Sequence, residues 1–210
     1  MFKRRILFVL ISALLTIAVM ALPTQNQAKA ATATNPEAFI DNLVASALKA
    51  ITGGGSQADR EKAFRTLLDA NFDVPRISRF VLGRYWNTAS DADKQQYLPL
   101  FETYVVRAYA NRFSDYAGET VKVTGSRPQG DLTVVSSQIL ENGAPPIKVD
   151  WVVRKDGDDY RISDVSVEGV SMVLTEKQQF AAVMDHDGGG VAGLNKVLAA
   201  KLSGSETALK

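Results

Sequence analysis

The chain contains one histidine, His186, between Asp185 and Asp187. Adjacent residues rarely point at one centre, and a metal needs further ligands converging from elsewhere. The triplet therefore reads as a solvated loop, with no metal assigned. His186 is also the one histidine that can serve a nucleophile, and no nucleophile motif accompanies it. Gly188-Gly189-Gly190-Val191-Ala192-Gly193 matches G-x-G-x-x-G, but that fingerprint needs a strand before it and an acid about 20 residues on. Here a helical pattern precedes it and 17 residues follow Gly193, so it reads as an inter-helix loop. Lys155-Asp156-Gly157-Asp158-Asp159 lacks the remaining ligands of a calcium loop and reads as a hairpin turn. With no cysteine, disulfides, thiol chemistry, thiolate metal sites and lipid-modified cysteines are excluded.

Two carboxylates lie within strand patterns. Asp150 and Asp164 sit among apolar residues, and Tyr104 and Tyr109 are placed to face the same interior. A buried carboxylate with a raised pKa beside a tyrosine donor is one way an α+β cone moves protons. The competing reading turns these aspartates outward or pairs them with an arginine such as Arg154.

The elements that must position these groups follow from hydrophobic period. Asn35 before Pro36 and Glu37 starts a helix, with Phe39, Leu43, Ala47, Leu48 and Ile51 at helical spacing and Gly53-Gly54-Gly55 as its stop. A second helix begins near Gln57. A third has Pro75 in its first turn and Ile77, Phe80, Val81 and Arg84 on one stripe, with Arg76 and Arg79 off it. Ser90 caps a fourth that runs to about Phe113, where Pro99 predicts a kink or a break. After Gly118 the period becomes about two. Glu119–Thr124, Leu132–Leu140, Ile147–Arg154 and Tyr160–Val167 read as four strands joined by short turns, hence antiparallel. Helices over Met172–Met184 and Val191–Leu202 close the chain. The fold class is α+β: a curved antiparallel sheet with helices on its concave face.

Of the 17 aromatic residues, nine lie between Phe72 and Phe113. Singly they read as core. Together, two aromatic-faced helices against a sheet can enclose a cavity.

The N-terminus reads separately. Lys3, Arg4 and Arg5 precede an uncharged run from Ile6 to Leu22, followed by Ala28-Lys29-Ala30. This is the layout of a cleaved secretory signal over residues 1–30, with a retained anchor as the alternative and residues 31–210 as one domain. Removing the leader leaves 20 basic and 23 acidic side chains, a net of −3. That balance argues against a nucleic-acid binder.

Four segments carry a family resemblance: "VLGRYW" (Val81–Trp86), "YLPLFETYVVRAYANRFSDYAGETVKV" (Tyr97–Val123), "PPIKVDWVVRKDGDDYRISDVSVEGVSMVLTEKQQF" (Pro145–Phe180) and "GGVAGLNKVL" (Gly189–Leu198). Together they resemble the MlaC family of periplasmic phospholipid-binding proteins over about Pro36 to Leu202. The resemblance implies an NTF2-like cone with a deep apolar pocket between sheet and helices. It also implies a non-catalytic carrier that ferries phospholipid between outer and inner membranes. The implied partners are an inner-membrane MCE-domain ABC transporter and an outer-membrane lipoprotein complex. A related subgroup is associated with hopanoid lipids. No cofactor is implied.

Periodicity and position in these segments nominate tail contacts from Phe80, Val81, Trp86, Phe101, Tyr104, Val105, Tyr109, Trp151, Val153, Val170, Met172 and Phe180. Arg84 is the head-group candidate, against an arginine that snorkels or pairs with a carboxylate. Two other readings stay open: an enzyme of the same architecture with Asp150 or Asp164 as base, and a periplasmic adaptor whose apolar surface binds protein.

Overall fold

Side-chain caps set where the helices begin. Asn35 accepts from the Ala38 N–H at 2.8 Å and opens α1 (Pro36–Thr52), and Gly53 closes it. Ser56 and Asp59 form a reciprocal capping box at the head of α2 (Gln57–Asn71). Each such cap satisfies amide groups the helix leaves without partners. Asp73 caps α3 (Val74–Leu82), which ends at Gly83. A four-residue helix, α4 (Tyr85–Thr88), follows. The Ser90 hydroxyl accepts from the Asp93 N–H at 3.1 Å and starts α5 (Asp91–Ala110). This computed structural model describes residues 35–110, 118–186 and 189–204. The expected leader over residues 1–30 and the expected helix end near Phe113 lie outside the described residues. Pro99 does not break α5, which is continuous from Asp91 to Ala110.

The second half supplies β1 (Thr120–Gln129), β2 (Leu132–Leu140), β3 (Ile147–Asp156), β4 (Asp159–Val167) and the two-residue β5 (Val170–Ser171). They form one antiparallel sheet in sequence order. The sheet therefore has five strands where the period predicts four; a two-residue strand is too short to show alternation. Asp156 pairs with Asp159 across Gly157-Asp158, a two-residue hairpin whose first position has φ +63°, which glycine adopts without strain. Val135 lies opposite Trp151, and Trp151 opposite Val165, so one face carries an apolar row across three strands. A register shift between Val152 and Val153 adds a bulge in the β3–β4 pair.

α6 (Met172–His186) and α7 (Gly190–Leu202) complete the order. The glycine run thus has a helix on either side, without the preceding strand a nucleotide fingerprint requires. The β4 edge is fastened to the helical half by backbone and charge. Phe72 forms a parallel bridge to Ile162, and the Asp73 N–H donates to the Ile162 carbonyl at 2.9 Å. Arg161 donates to the Asp69 and Ala70 carbonyls at the end of α2, and Arg154 meets Asp73 at 3.0 Å.

Most of the buried apolar residues fall into two clusters with no member in common. One is helical and joins Val81, Leu82, Tyr97, Phe101, Tyr104 and Phe180 to α7. The other sets Phe39, Ile40 and Leu43 of α1 on Val135, Val153 and Ile162 of the sheet.

Candidate functional site

Several apolar side chains on the sheet face pack against the core yet stay partly exposed. Trp151 and Val165, neighbours in the apolar row, keep intermediate exposure although they pack against the sheet-side cluster. Val123 of β1 does the same. The Trp151 Nε1–H donates to the Ser137 hydroxyl at 2.9 Å, and Ser137 is itself buried on the neighbouring strand. On the helical side, Val105, Leu100 and Val173 are likewise partly buried against their cluster. Among the described residues, Glu119 is the one charged side chain that is fully buried.

The nominated residues separate into four groups. Val81, Phe101, Tyr104 and Phe180 are buried together, and Phe180 is the hub. Its ring centre lies 6.2 Å from that of Phe101, edge-on, and 5.6 Å from that of Tyr104. These rings largely fill one another's space. Val153 is buried under α1, with Trp151 beside it. Trp86, Val105, Tyr109 and Met172 are half-buried, and Tyr109 stacks on Phe64 with centroids 6.3 Å apart. Phe80 and Val170 are exposed, outside the interior.

The expected stripe of α3 is corrected here. Its buried side is Val74, Ile77, Ser78, Val81 and Leu82; Phe80 faces outward with Arg76 and Arg79. Arg84 is not on that stripe either. Gly83, at φ +55°, ends α3, and Arg84 starts a new turn with its side chain 75% exposed. Arg84 donates to Asp185 at 2.8 Å and to the Tyr85 hydroxyl at 2.9 Å, and the Tyr85 hydroxyl also bonds Asp185. That hydroxyl, with the Arg84 guanidinium, holds Asp185 below the usual carboxylate range. Arg84 thus has a carboxylate partner at the rim of an outer cleft of about 310 Å³ between Gly83–Tyr85 and Lys177, Ala181 and Asp185.

The strand carboxylates have environments unlike that of a proton-transfer base. Partial burial works against ionisation of Asp150, but the Ser136 hydroxyl and the Arg127 guanidinium outweigh it and lower its pKa. Asp150 lies 2.6 Å from Ser136 Oγ and 3.0 Å from Arg127, and so is paired, though not with Arg154. Asp164 accepts from the Val165 and Val173 N–H groups at 2.8 and 3.2 Å, tying β4 to the first turn of α6. Burial, with the charge of Glu176, pushes the Tyr97 phenol well above its ordinary range. It stays neutral and donates to the Ser78 carbonyl at 3.1 Å. No group of three or more metal-ligating side chains converges among the described residues. Asp187 and Gly188, named in the sequence motifs, lie outside them.

Sequence reasoning did not place Phe39, Ile40 and Leu43 against the sheet, nor Ser137 beneath Trp151. The period of α1 was legible; what it covers depends on tertiary docking. Ser137 carries no signal beyond its register opposite Val149.

Comparison with known proteins identifies what this geometry is similar to. The family model described as MlaC protein matches residues 37–200. The chain is 21% identical over 113 residues to the intermembrane phospholipid transport system binding protein MlaC of Haemophilus influenzae. The alignment takes in 51% of this chain and 53% of that protein, so the chain spans about half the length of this curated relative. Among solved structures it matches the phospholipid-binding protein from Ralstonia solanacearum, solved in complex with a phospholipid, with a TM-score of 0.72 and 25% identity. That match covers 81% of this chain and 98% of the other.

Proposed function

The chain belongs to the MlaC family, and from that premise we propose that it is a phospholipid carrier whose interior shelters acyl chains between the sheet and the helices. The observation that carries the reading is an incompletely covered apolar sheet face: Trp151 and Val165 are neighbours in one row, Val123 lies opposite Ser137 in the next, and all three stay partly exposed. A solid core would bury these side chains. The tail contacts we assign are the half-buried side chains of Trp151, Val105, Tyr109 and Met172, with Val153 as floor.

The need for such a site is energetic. A two-tailed lipid exposes roughly 30 methylenes, and at roughly 0.8 kcal/mol each the aqueous state costs about 24 kcal/mol. Crossing an aqueous compartment therefore requires a cover for the tails. In this reading residues 1–30 direct export and are removed, and residues 31–210 act as one unit in the periplasm. The carrier then moves lipid between the outer and inner membranes, exchanging it with an MCE-domain ABC transporter on one side and a lipoprotein complex on the other. The paired Asp150 and the capping role of Asp164 favour this over an enzyme that uses either as base.

The test is native purification of residues 31–210, organic extraction and mass spectrometry of the extract. Stoichiometric phospholipid is expected. Extracted hopanoid would change the ligand class. An empty protein that also fails to accept lipid from vesicles would overturn the carrier reading.

A further inference from the structure

Among the described residues four large apolar side chains are substantially exposed: Phe80, Leu98, Val170 and Leu174. Three of them lie on adjoining elements. Phe80, 49% exposed, is on α3, which packs on α6; Leu174, 46% exposed, is on the first turns of α6; Val170, 58% exposed, is on β5, which runs directly into α6. Lys177 links them. It lies one turn beyond Leu174 on the same side of α6, and its Nζ sits 4.4 Å from the Phe80 ring centre.

Cations flank Phe80 and Leu174. Arg76, Arg79 and Phe80 share the outward side of α3 and are all exposed, with Arg79 held 5.6 Å from the Trp86 ring centre. Among the described residues no carboxylate lies within ion-pair distance of Arg76, Arg79 or Lys177, whereas the neighbouring Arg84 is paired with Asp185. Residues 31–210 carry a net charge of −3, so three unpaired cations beside three exposed apolar side chains form a local concentration against the overall sign.

We propose that this face docks on anionic phospholipid bilayers, with Arg76, Arg79 and Lys177 reaching lipid phosphates while Phe80, Val170 and Leu174 enter the head-group boundary. The chemistry matches that of an interfacial anchor, basic side chains beside a few apolar tips, which needs no fixed partner geometry. The core of a protein interface is depleted in lysine, whereas here Lys177 stands against Phe80 and one turn from Leu174. The inference rests on the carrier reading for its purpose, since a carrier must meet a membrane to exchange its cargo.

The experiment is flotation of residues 31–210 with phosphatidylethanolamine vesicles containing about 30 mol % phosphatidylglycerol, beside pure phosphatidylcholine vesicles. The protein is expected to float with the anionic vesicles at low salt, less at high salt as screening shortens, and not with phosphatidylcholine. R76E/R79E should lower the partition coefficient at least about thirtyfold, two basic contacts of about 1 kcal/mol each, and L174S should lower it severalfold. Absence of flotation, equal flotation with both vesicle types, or unchanged flotation of R76E/R79E overturns the proposal. So does binding confined to vesicles that carry native membrane proteins, which would assign the face to a protein partner. Should R76E/R79E fail to fold, the salt dependence of the unaltered protein and L174S decide. Solvent extraction separates the two readings. R76E/R79E that carries lipid but no longer floats supports this face, while an unaltered protein that floats but holds no lipid removes only the carrier.

Discussion

The indole of Trp151 is anchored by one hydrogen bond to Ser137, donor to hydroxyl 2.9 Å, across the pair of strands β2 and β3. Ser137 is buried at 2% exposure, while its hydroxyl turns on to the Val149 carbonyl at 3.3 Å. Ser137→Ala would leave the indole N–H without this acceptor, a loss of about 1 kcal/mol in urea unfolding. The same change in a Trp151→Phe background should cost clearly less. Equal costs in the two backgrounds would show that the bond does not orient the ring.

Phe180 and Trp151 should behave differently although both were nominated for tail contact. Phe180 is 2% exposed and ringed by Tyr97, Phe101 and Tyr104, so Phe180→Ala leaves a cavity worth about 3–5 kcal/mol. Trp151 is half-buried, and Trp151→Ala should cost less stability but lower the lipid recovered by extraction from the folded protein. Full lipid load in Trp151→Ala would remove it from the tail site.

What the sequence made legible was local. Asn35, Ser90 and the Asp156-Gly157 turn declare themselves because a cap or a tight hairpin depends on a few consecutive residues. The four long strands and their antiparallel order follow in the same way. The orientation of α3 was misread, because Gly83 ends that helix after nine residues and the assumed stripe ran through it to Arg84. α4 and β5, at four and two residues, are too short for their periods to repeat. The division of the interior into two clusters left no trace in spacing, since it depends on where α1 docks on the sheet. Phe80 shows the limit most plainly: its aromatic character suggested the interior, and its turn of helix puts it outside.

Asp150 predicts an acid-linked loss. Its folded pKa is depressed by Ser136 and Arg127 against the opposing effect of partial burial. A carboxylate with a depressed folded pKa contributes stability that is complete above its unfolded value and is lost as pH falls through its folded value. The stability advantage of the unaltered protein over Asp150→Asn should therefore be constant from neutral pH down to about 5 and shrink below about 4. Thermal unfolding of both proteins across that range measures it. An advantage that grows on acidification would mean that the pair with Arg127 does not form.

Gly83 combines a backbone and a side-chain constraint, and the two can be separated. Its φ of +55° and ψ of −124° belong to a region that a residue with a β-carbon enters at a cost of about 1–3 kcal/mol. A β-carbon there would also stand 2.9 Å from Lys177 Cε, and the lysine side chain is flexible enough to move. Gly83→Ala should therefore destabilise by about 1–3 kcal/mol through the backbone, and Lys177→Ala should not restore it. A double variant as stable as Lys177→Ala alone would assign the cost to the clash instead. Because Gly83 both ends α3 and turns the chain into Arg84, the same substitution should loosen the contact of Arg84 and Tyr85 with Asp185 of α6. Faster amide exchange over Gly83–Thr88 than over α5 would register that loosening, and unchanged exchange would limit the role of Gly83 to the end of α3.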